Sequence, residues 1–213
     1  MHHTRRRYLR FFGGGGSVLI AGLAGCTGGS GPDDSPNETP PETNGSGETR
    51  PEGTGGPGVT IASTDEAPDL PVEPTVELVR DTATEDHPPR LRTTLTNTGD
   101  EPVSVGEGRA VHFEYVADDS GVLTLLPGDS DSEYPAEADC WRLTEGIAIT
   151  EEYRTFEIDA GESSSRLVDL YATPDADGCL PVGEYRFEST IGIVGDDAEA
   201  ESSAAWGFSI SLE

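Results

Sequence analysis

The side chains that most often carry metal or redox chemistry are scarce in this chain of 213 residues, which contains four histidines, three cysteines and one methionine. Two histidines and the methionine fall within the first three residues, which leaves His87 and His112 for the rest of the chain. A blue-copper site needs two histidines, a cysteine and usually a methionine, and zinc sites draw on a similar set. We therefore expect neither metal, and no small-molecule cofactor.

Hydrolysis by a serine, histidine and aspartate constellation would also depend on His87 or His112. His87 stands before two prolines in a predicted turn. His112 alternates with Val111 and Phe113 in a predicted strand, which puts its ring on the opposite face from theirs. We predict that both are surface histidines and that the protein is not an enzyme.

Clustered acidic residues raise the question of calcium. Asp129, Asp131 and Glu133 form one cluster, and Asp175 and Asp177 form another, with the oxygen ligands that Ca²⁺ prefers. Neither cluster carries the full twelve-residue loop pattern, and such clusters arise by chance in an acidic chain. Solvated loops are the favoured interpretation, and a weak calcium site is the alternative.

The N-terminal segment has the charge order of a secretory signal, with four early arginines, a weakly apolar run and small residues before Cys26. Its apolar part contains four consecutive glycines and is too short to span a membrane. The pair Arg5 and Arg6 resembles the twin-arginine export motif. The run Leu23–Cys26 resembles a lipobox, which implies cleavage before Cys26 and attachment of a lipid to its sulfur. The alternative is an ordinary signal peptide with an incidental cysteine.

The charge balance is strongly acidic. The chain has 41 acidic residues against 13 basic ones, all of them arginine, and a net charge of −28. Molar salt screens the self-repulsion of such a chain. The acid excess, the absence of lysine and the export signal together resemble surface lipoproteins of extremely halophilic archaea. The alternative is a surface for cations or a basic partner. We expect no nucleic-acid partner, because phosphate binding needs basic clusters.

Residues 26–71 are rich in Gly, Pro, Thr and acidic residues, and predict a disordered tether after the lipidated cysteine. As a flexible coil, this tether would span about 35–40 Å. Asn37 and Asn44 each begin an N-glycosylation pattern, whose natural place is an exposed extracellular segment. Export to an oxidising compartment also predicts that Cys140 and Cys179 form a disulfide.

From residue 72 to residue 213 the apolar residues recur with period two, which is typical of strands with one buried face. Turn residues separate the strands, and a chain of this length forms one β-sandwich core. The predicted strands lie near residues 75–80, 91–95, 102–105, 111–115, 122–126, 141–149, 152–158, 165–172, 185–193 and 206–212.

Two stretches resemble immunoglobulin-like surface modules with Greek-key connections. Leu91–Val103 resembles a strand, an Asn-x-Gly turn and the next strand, and Leu180–Phe187 resembles the approach to a late strand. The resemblance makes Tyr185 a candidate tyrosine corner. Phe187 stands where antibody domains have their second cysteine, so we expect the disulfide to join two loops at one end.

These observations predict a signal peptide over 1–25, a lipidated tether over 26–71 and an immunoglobulin-like β-sandwich over 72–213. The predicted function is a non-catalytic binding or assembly module. It would be held by the lipid on Cys26 at the extracytoplasmic face of a halophilic cell membrane, with an envelope protein as partner. The alternative is peptidase inhibition through the exposed acidic loop Pro127–Ala138.

Overall fold

The computed structural model of the protein describes residues 58–128, 134–150, 152–195 and 199–213. Strands dominate these residues, and the only helix among them is a single 3₁₀ turn, Ala110–His112. The strands are β1 Val59–Thr64, β2 Val72–Arg80, β3 Arg90–Asn97, β4 Val103–Gly106, β5 Val116–Ala117, β6 Leu123–Pro127, β7 Thr155–Ile158, β8 Ser163–Ala172, β9 Gly183–Val194 and β10 Ala200–Leu212.

The strands form two antiparallel five-stranded sheets, with orders β1-β10-β9-β4-β7 and β2-β3-β8-β6-β5. Alternate side chains of each sheet point into one shared core, as the period-two pattern predicts. Fully buried side chains from both sheets meet there, among them Leu91, Leu95, Leu170, Phe187, Ile191 and Phe208. The prediction of an all-β sandwich is confirmed.

The strand order is that of an immunoglobulin-like domain. The run β2-β3-β8-β6 corresponds to the strands called A, B, E and D in such domains, and β4-β9-β10 corresponds to C, F and G. Two further strands extend the sheet that contains β4, β9 and β10, with β1 beside β10 and β7 beside β4. The chain crosses from one sheet to the other between β3 and β4, and again between β8 and β9, as in a Greek-key arrangement.

The sandwich begins earlier than residue 72. Strand β1 lies inside the range assigned to the tether, and pairs with β10 from Val59 opposite Leu212 to Thr64 opposite Phe208. Val59 is buried, whereas the rest of β1 is mostly exposed and polar. The strand is therefore held mainly by its backbone ladder, which explains why composition alone assigns it to the tether.

The predicted strand at 111–115 is wrong. Its residues form the 3₁₀ turn, and Phe113 and Tyr115 follow with φ of 61° and 64°, in the left-handed region. This segment carries the chain from β4 in one sheet to β5 in the other. Val111 and Phe113 are buried in the core, where the Phe113 ring lies 4.9 Å from the Phe208 ring. The side chains that suggested a strand therefore fill the space between the sheets.

The predicted strand at 141–149 is also wrong, and β7 begins at residue 155 rather than 152. The described residues 134–150 form a loop that makes only isolated bridges, such as Arg142 with Ala172. This loop covers the outer face of β6 and β8. It forms a second apolar cluster around Leu126, Leu143 and Tyr171, so its apolar residues are buried without strand pairing.

The predicted disulfide is confirmed. Cys140 and Cys179 are bonded, with their Cα atoms 4.7 Å apart. The bond joins the covering loop to the connection between β8 and β9, so it ties two loops, as expected from the sequence. The neighbouring Trp141 indole donates a hydrogen bond of 2.7 Å to the carbonyl oxygen of Thr84 in the β2–β3 connection. Three connections are thus held together at this end of the sandwich.

Candidate functional site

One cavity of about 640 Å³ lies beside the edge of the sandwich that contains β7. We call it the arginine cavity. Its lining comes from the residues on either side of the 3₁₀ turn, the end of β6, the segment that leads into β7, and β8. The lining residues are Arg109, Glu114, Tyr115, Pro127, Ala148, Ile149, Thr150, Arg154 and Arg166.

The lining is unusually basic for this chain. Among the described residues, three arginines line it, against one acidic residue. Two of the guanidinium groups are committed to the fold. Arg109 donates to the carbonyl oxygens of Thr150 and Glu152, at 2.8 and 2.9 Å, and so holds the segment that leads into β7. Arg154 pairs with the Glu152 carboxylate at 2.7 Å and lowers the pKa of that carboxyl.

Arg166 differs from the other two arginines. Its side chain donates to the neighbouring Ser165 carbonyl oxygen at 2.9 Å, and no carboxylate among the described residues pairs with it. Arg166 lies on β8 opposite Thr93 and is exposed. Its positive charge also contributes to the lowered pKa of His112. Of the three guanidinium groups, that of Arg166 is therefore the one that no carboxylate of the described residues balances.

A smaller cavity of about 160 Å³ adjoins the first, and we call it the apolar groove. Tyr115 and Ile149 line both spaces, so the two are adjacent. The remaining lining is mostly apolar and comes from β5, β6, the covering loop and the start of the β8–β9 connection: Ala117, Thr124, Leu126, Leu143, Gly146, Ile147, Thr173 and Pro174.

The edge strand β7 lies next to these spaces. Among the described strands it pairs only with β4, so its other edge is available. The segment that leads into it exposes Ile149 by 52% and Tyr153 by 57%. The other large apolar side chains exposed in the described residues are Val79 and Val182. Half of this set therefore lies in the six residues that precede β7.

His112 is not a surface histidine, and that prediction is wrong. Its side chain is buried, with Nδ1 3.2 Å from the Thr93 hydroxyl and Nε2 3.1 Å from the Ser164 hydroxyl. The Thr93 hydroxyl donates its proton to the His112 carbonyl oxygen, so Nδ1 must be the donor to Thr93 and Nε2 the acceptor from Ser164. Burial, with a smaller contribution from Arg166, lowers the pKa of His112 to about 4.

The contact between His112 and Ser164 resembles part of a catalytic dyad, but its chemistry is unfavourable. A general base works best with a pKa near the working pH, and the pKa of about 4 makes His112 a weak base. Its Nδ1 contacts a hydroxyl instead of the carboxylate that orients such histidines. We interpret the three residues as a buried polar link between the 3₁₀ turn, β3 and β8.

The other predicted site residues have mixed outcomes. Tyr185 is buried, and its hydroxyl donates to the carbonyl oxygen of Pro181 at 2.9 Å, the upstream backbone contact that characterises a tyrosine corner.

Within the described parts of the chain, no group of three or more His, Cys, Asp or Glu is placed to hold a metal. The predicted residues that lie outside the described residues are Arg5, Arg6, Cys26, Asn37, Asn44, Asp129, Asp131 and Glu133.

Comparison with known proteins identifies no family for this chain. The sequence matches no protein-family model and no curated protein. No helix in the described part of the chain is long and apolar enough to cross a membrane. The fold itself defines the class of the domain, an immunoglobulin-like β-sandwich.

Proposed function

We propose that the protein is a non-catalytic binding module, held by a lipid on Cys26 at the outer face of the membrane of a halophilic cell. Its contact surface is the region formed by the free edge of β7, the arginine cavity and the apolar groove. The partner is a protein of the same cell envelope. The observation that carries this proposal is the exposure of Ile149 and Tyr153 in the segment that leads into β7, which pairs on one side only among the described strands.

Strand addition is the mode of binding that this surface favours. An extended segment of a partner can hydrogen-bond to the free edge of a sheet, while nearby pockets select its side chains. The other edges are less suitable. Strand β2 carries Pro74 and two exposed glutamates, which protect an edge from pairing, and β5 has only two residues. The outer edge of β1 is partly covered at its start, where Gly58 forms a bridge with Thr82 and the Val59 N–H donates to the Asp81 carbonyl oxygen. Strand β7 has four residues and no proline.

The anchor and the salt adaptation rest on the sequence. The twin-arginine and lipobox resemblances support export and lipidation at Cys26, and the acid excess supports a high-salt environment. The tether predicted from the composition of the residues after Cys26 would let the β7 edge reach a neighbouring protein. The predicted inhibitory loop Pro127–Ala138 has less support, because the ring of Tyr134, on its described flank, packs against Tyr171.

The proposal is tested by capturing partners from envelope extracts in molar KCl with the purified full chain. Tyr153→Ser and Ile149→Asp should each reduce capture by at least about fivefold, since exposed anchor residues dominate protein interfaces. Val182→Asp is the matched control, because Val182 is similarly exposed, by 53%, but lines neither the cavity nor the groove. Equal capture by all variants would refute the proposed surface. Capture of a secreted peptidase that the chain inhibits would favour the alternative function.

A further inference from the structure

The arginine cavity and the apolar groove offer two kinds of contact side by side. Arg166 presents a guanidinium group to the cavity without a carboxylate partner among the described residues. The groove begins at Tyr115 and Ile149, which also line the cavity. An occupant that satisfies both spaces carries an anionic group joined closely to an apolar group.

We propose that the two spaces together bind the C-terminal end of a partner polypeptide, with its terminal carboxylate at Arg166 and its last, apolar side chain in the groove. This inference rests on the proposed function and specifies the chemistry of the partner. A guanidinium group can donate two parallel hydrogen bonds to a carboxylate, which makes arginine well suited to this recognition.

The charges around the cavity are compatible with a bound carboxylate. Glu114 lines the cavity and opposes an anion, but three guanidinium groups line it as well. Glu152 pairs with Arg154, and Glu107 lies 3.7 Å from Arg109, so two of the three positive charges are partly balanced. Arg166 supplies the charge that a carboxylate would neutralise.

The size of the groove and the position of β7 favour a chain end over other amphipathic anions. A volume of about 160 Å³ accommodates one apolar side chain rather than a long acyl chain. Arg154 lines the cavity and directly precedes β7. A peptide that extends the sheet at β7 would therefore pass beside the cavity, where a chain end could turn in.

The test uses the purified full chain and two fluorescent peptides that end in leucine, one with a free carboxylate and one with an amide cap. Anisotropy in molar KCl should show that the free acid binds at least about tenfold more tightly, because it makes charge-assisted hydrogen bonds. Arg166→Gln should abolish this preference, and Arg166→Lys should retain part of it. Arg92→Gln is the matched control, because Arg92 is an exposed arginine on β3 that pairs with Glu77 away from the cavity.

Three further measurements show which part of the peptide each space recognises. A peptide that ends in glycine should bind more weakly than the leucine peptide, and octanoate should fail to displace the leucine peptide. The pKa of His112, followed by NMR, should rise when the free acid binds, because Arg166 helps to lower it. This rise should be absent with the amide peptide.

Equal binding of acid and amide, no binding of either, an equal loss in Arg92→Gln, or displacement by octanoate would each overturn the proposal. The proposed function fails separately. If Tyr153→Ser and Ile149→Asp reduce partner capture while acid and amide peptides bind equally, the contact surface stands and the recognition of a chain end does not.

Discussion

Replacing the buried His112 with glutamine should remove a large part of the acid sensitivity of the domain. The pKa of His112 is lowered from 6.5 to about 4 in the folded chain. The unfolded chain therefore binds a proton between these values that the folded chain does not bind. Stability is then complete above about pH 6.5 and decreases as the pH falls towards 4. The difference between these two pKa values corresponds to about 3 kcal/mol in the free energy of unfolding.

The assay is chemical denaturation of the full chain at several pH values between 4 and 7, in molar KCl. The wild type should lose about 3 kcal/mol across this window, and His112→Gln should lose much less. The amide of glutamine keeps one donor and one acceptor for Thr93 and Ser164, so the buried contacts can be retained. The ion pair of Asp65 with Arg186 does not affect this comparison. Arg186 lowers the pKa of the Asp65 carboxyl from 3.8, so the stability that this pair contributes is lost only below the measured pH range. If the wild type and His112→Gln lose the same free energy of unfolding between pH 7 and pH 4, the reasoning is refuted.

Four further predictions concern the stability and the anchoring of the chain. Replacing both Cys140 and Cys179 with serine should lower the free energy of unfolding by up to about 4 kcal/mol, measured by denaturation, since the bond closes a loop with a sequence separation of 39. Tyr185→Phe should cost about 1 kcal/mol in the same assay, because the carbonyl of Pro181 loses its donor. The melting temperature should rise steeply from dilute buffer to molar KCl, given the net charge of −28, and a flat response would contradict the salt adaptation. Cys26→Ser should release the chain from membranes in a fractionation experiment, and recovery of unmodified wild type in the medium would rule out the anchor.

The sandwich could be predicted because its signal is local. In β9 the buried side chains alternate over a long stretch, and in β10 the apolar residues alternate from Trp206 to Leu212. This pattern alone predicts strands. The same rule failed at 111–115, where Val111 and Phe113 alternate but belong to a turn between the sheets. Alternation indicates which residues are buried only where a strand exists, so it also placed His112 on the wrong face.

The arginine cavity could not be predicted from the sequence. Arg109, Arg154 and Arg166 are far apart along the chain and form no motif. Pairing of β3 with β8 and of β4 with β7 brings them together, and this depends on the register of both sheets. The one available signal was the scarcity of basic residues, which makes any cluster of arginines in such an acidic chain unusual.

The central claim is that the chain binds its partner through the region beside β7. The most direct measurement is photocrosslinking in intact cells, with a photoreactive amino acid placed at Tyr153 or, as control, at Val79 on β2. Both side chains are exposed, by 57% and 41%. We predict a discrete adduct with one envelope protein from position 153 and none from position 79. Equal adducts from both positions, or an adduct from position 79 alone, would contradict the claim.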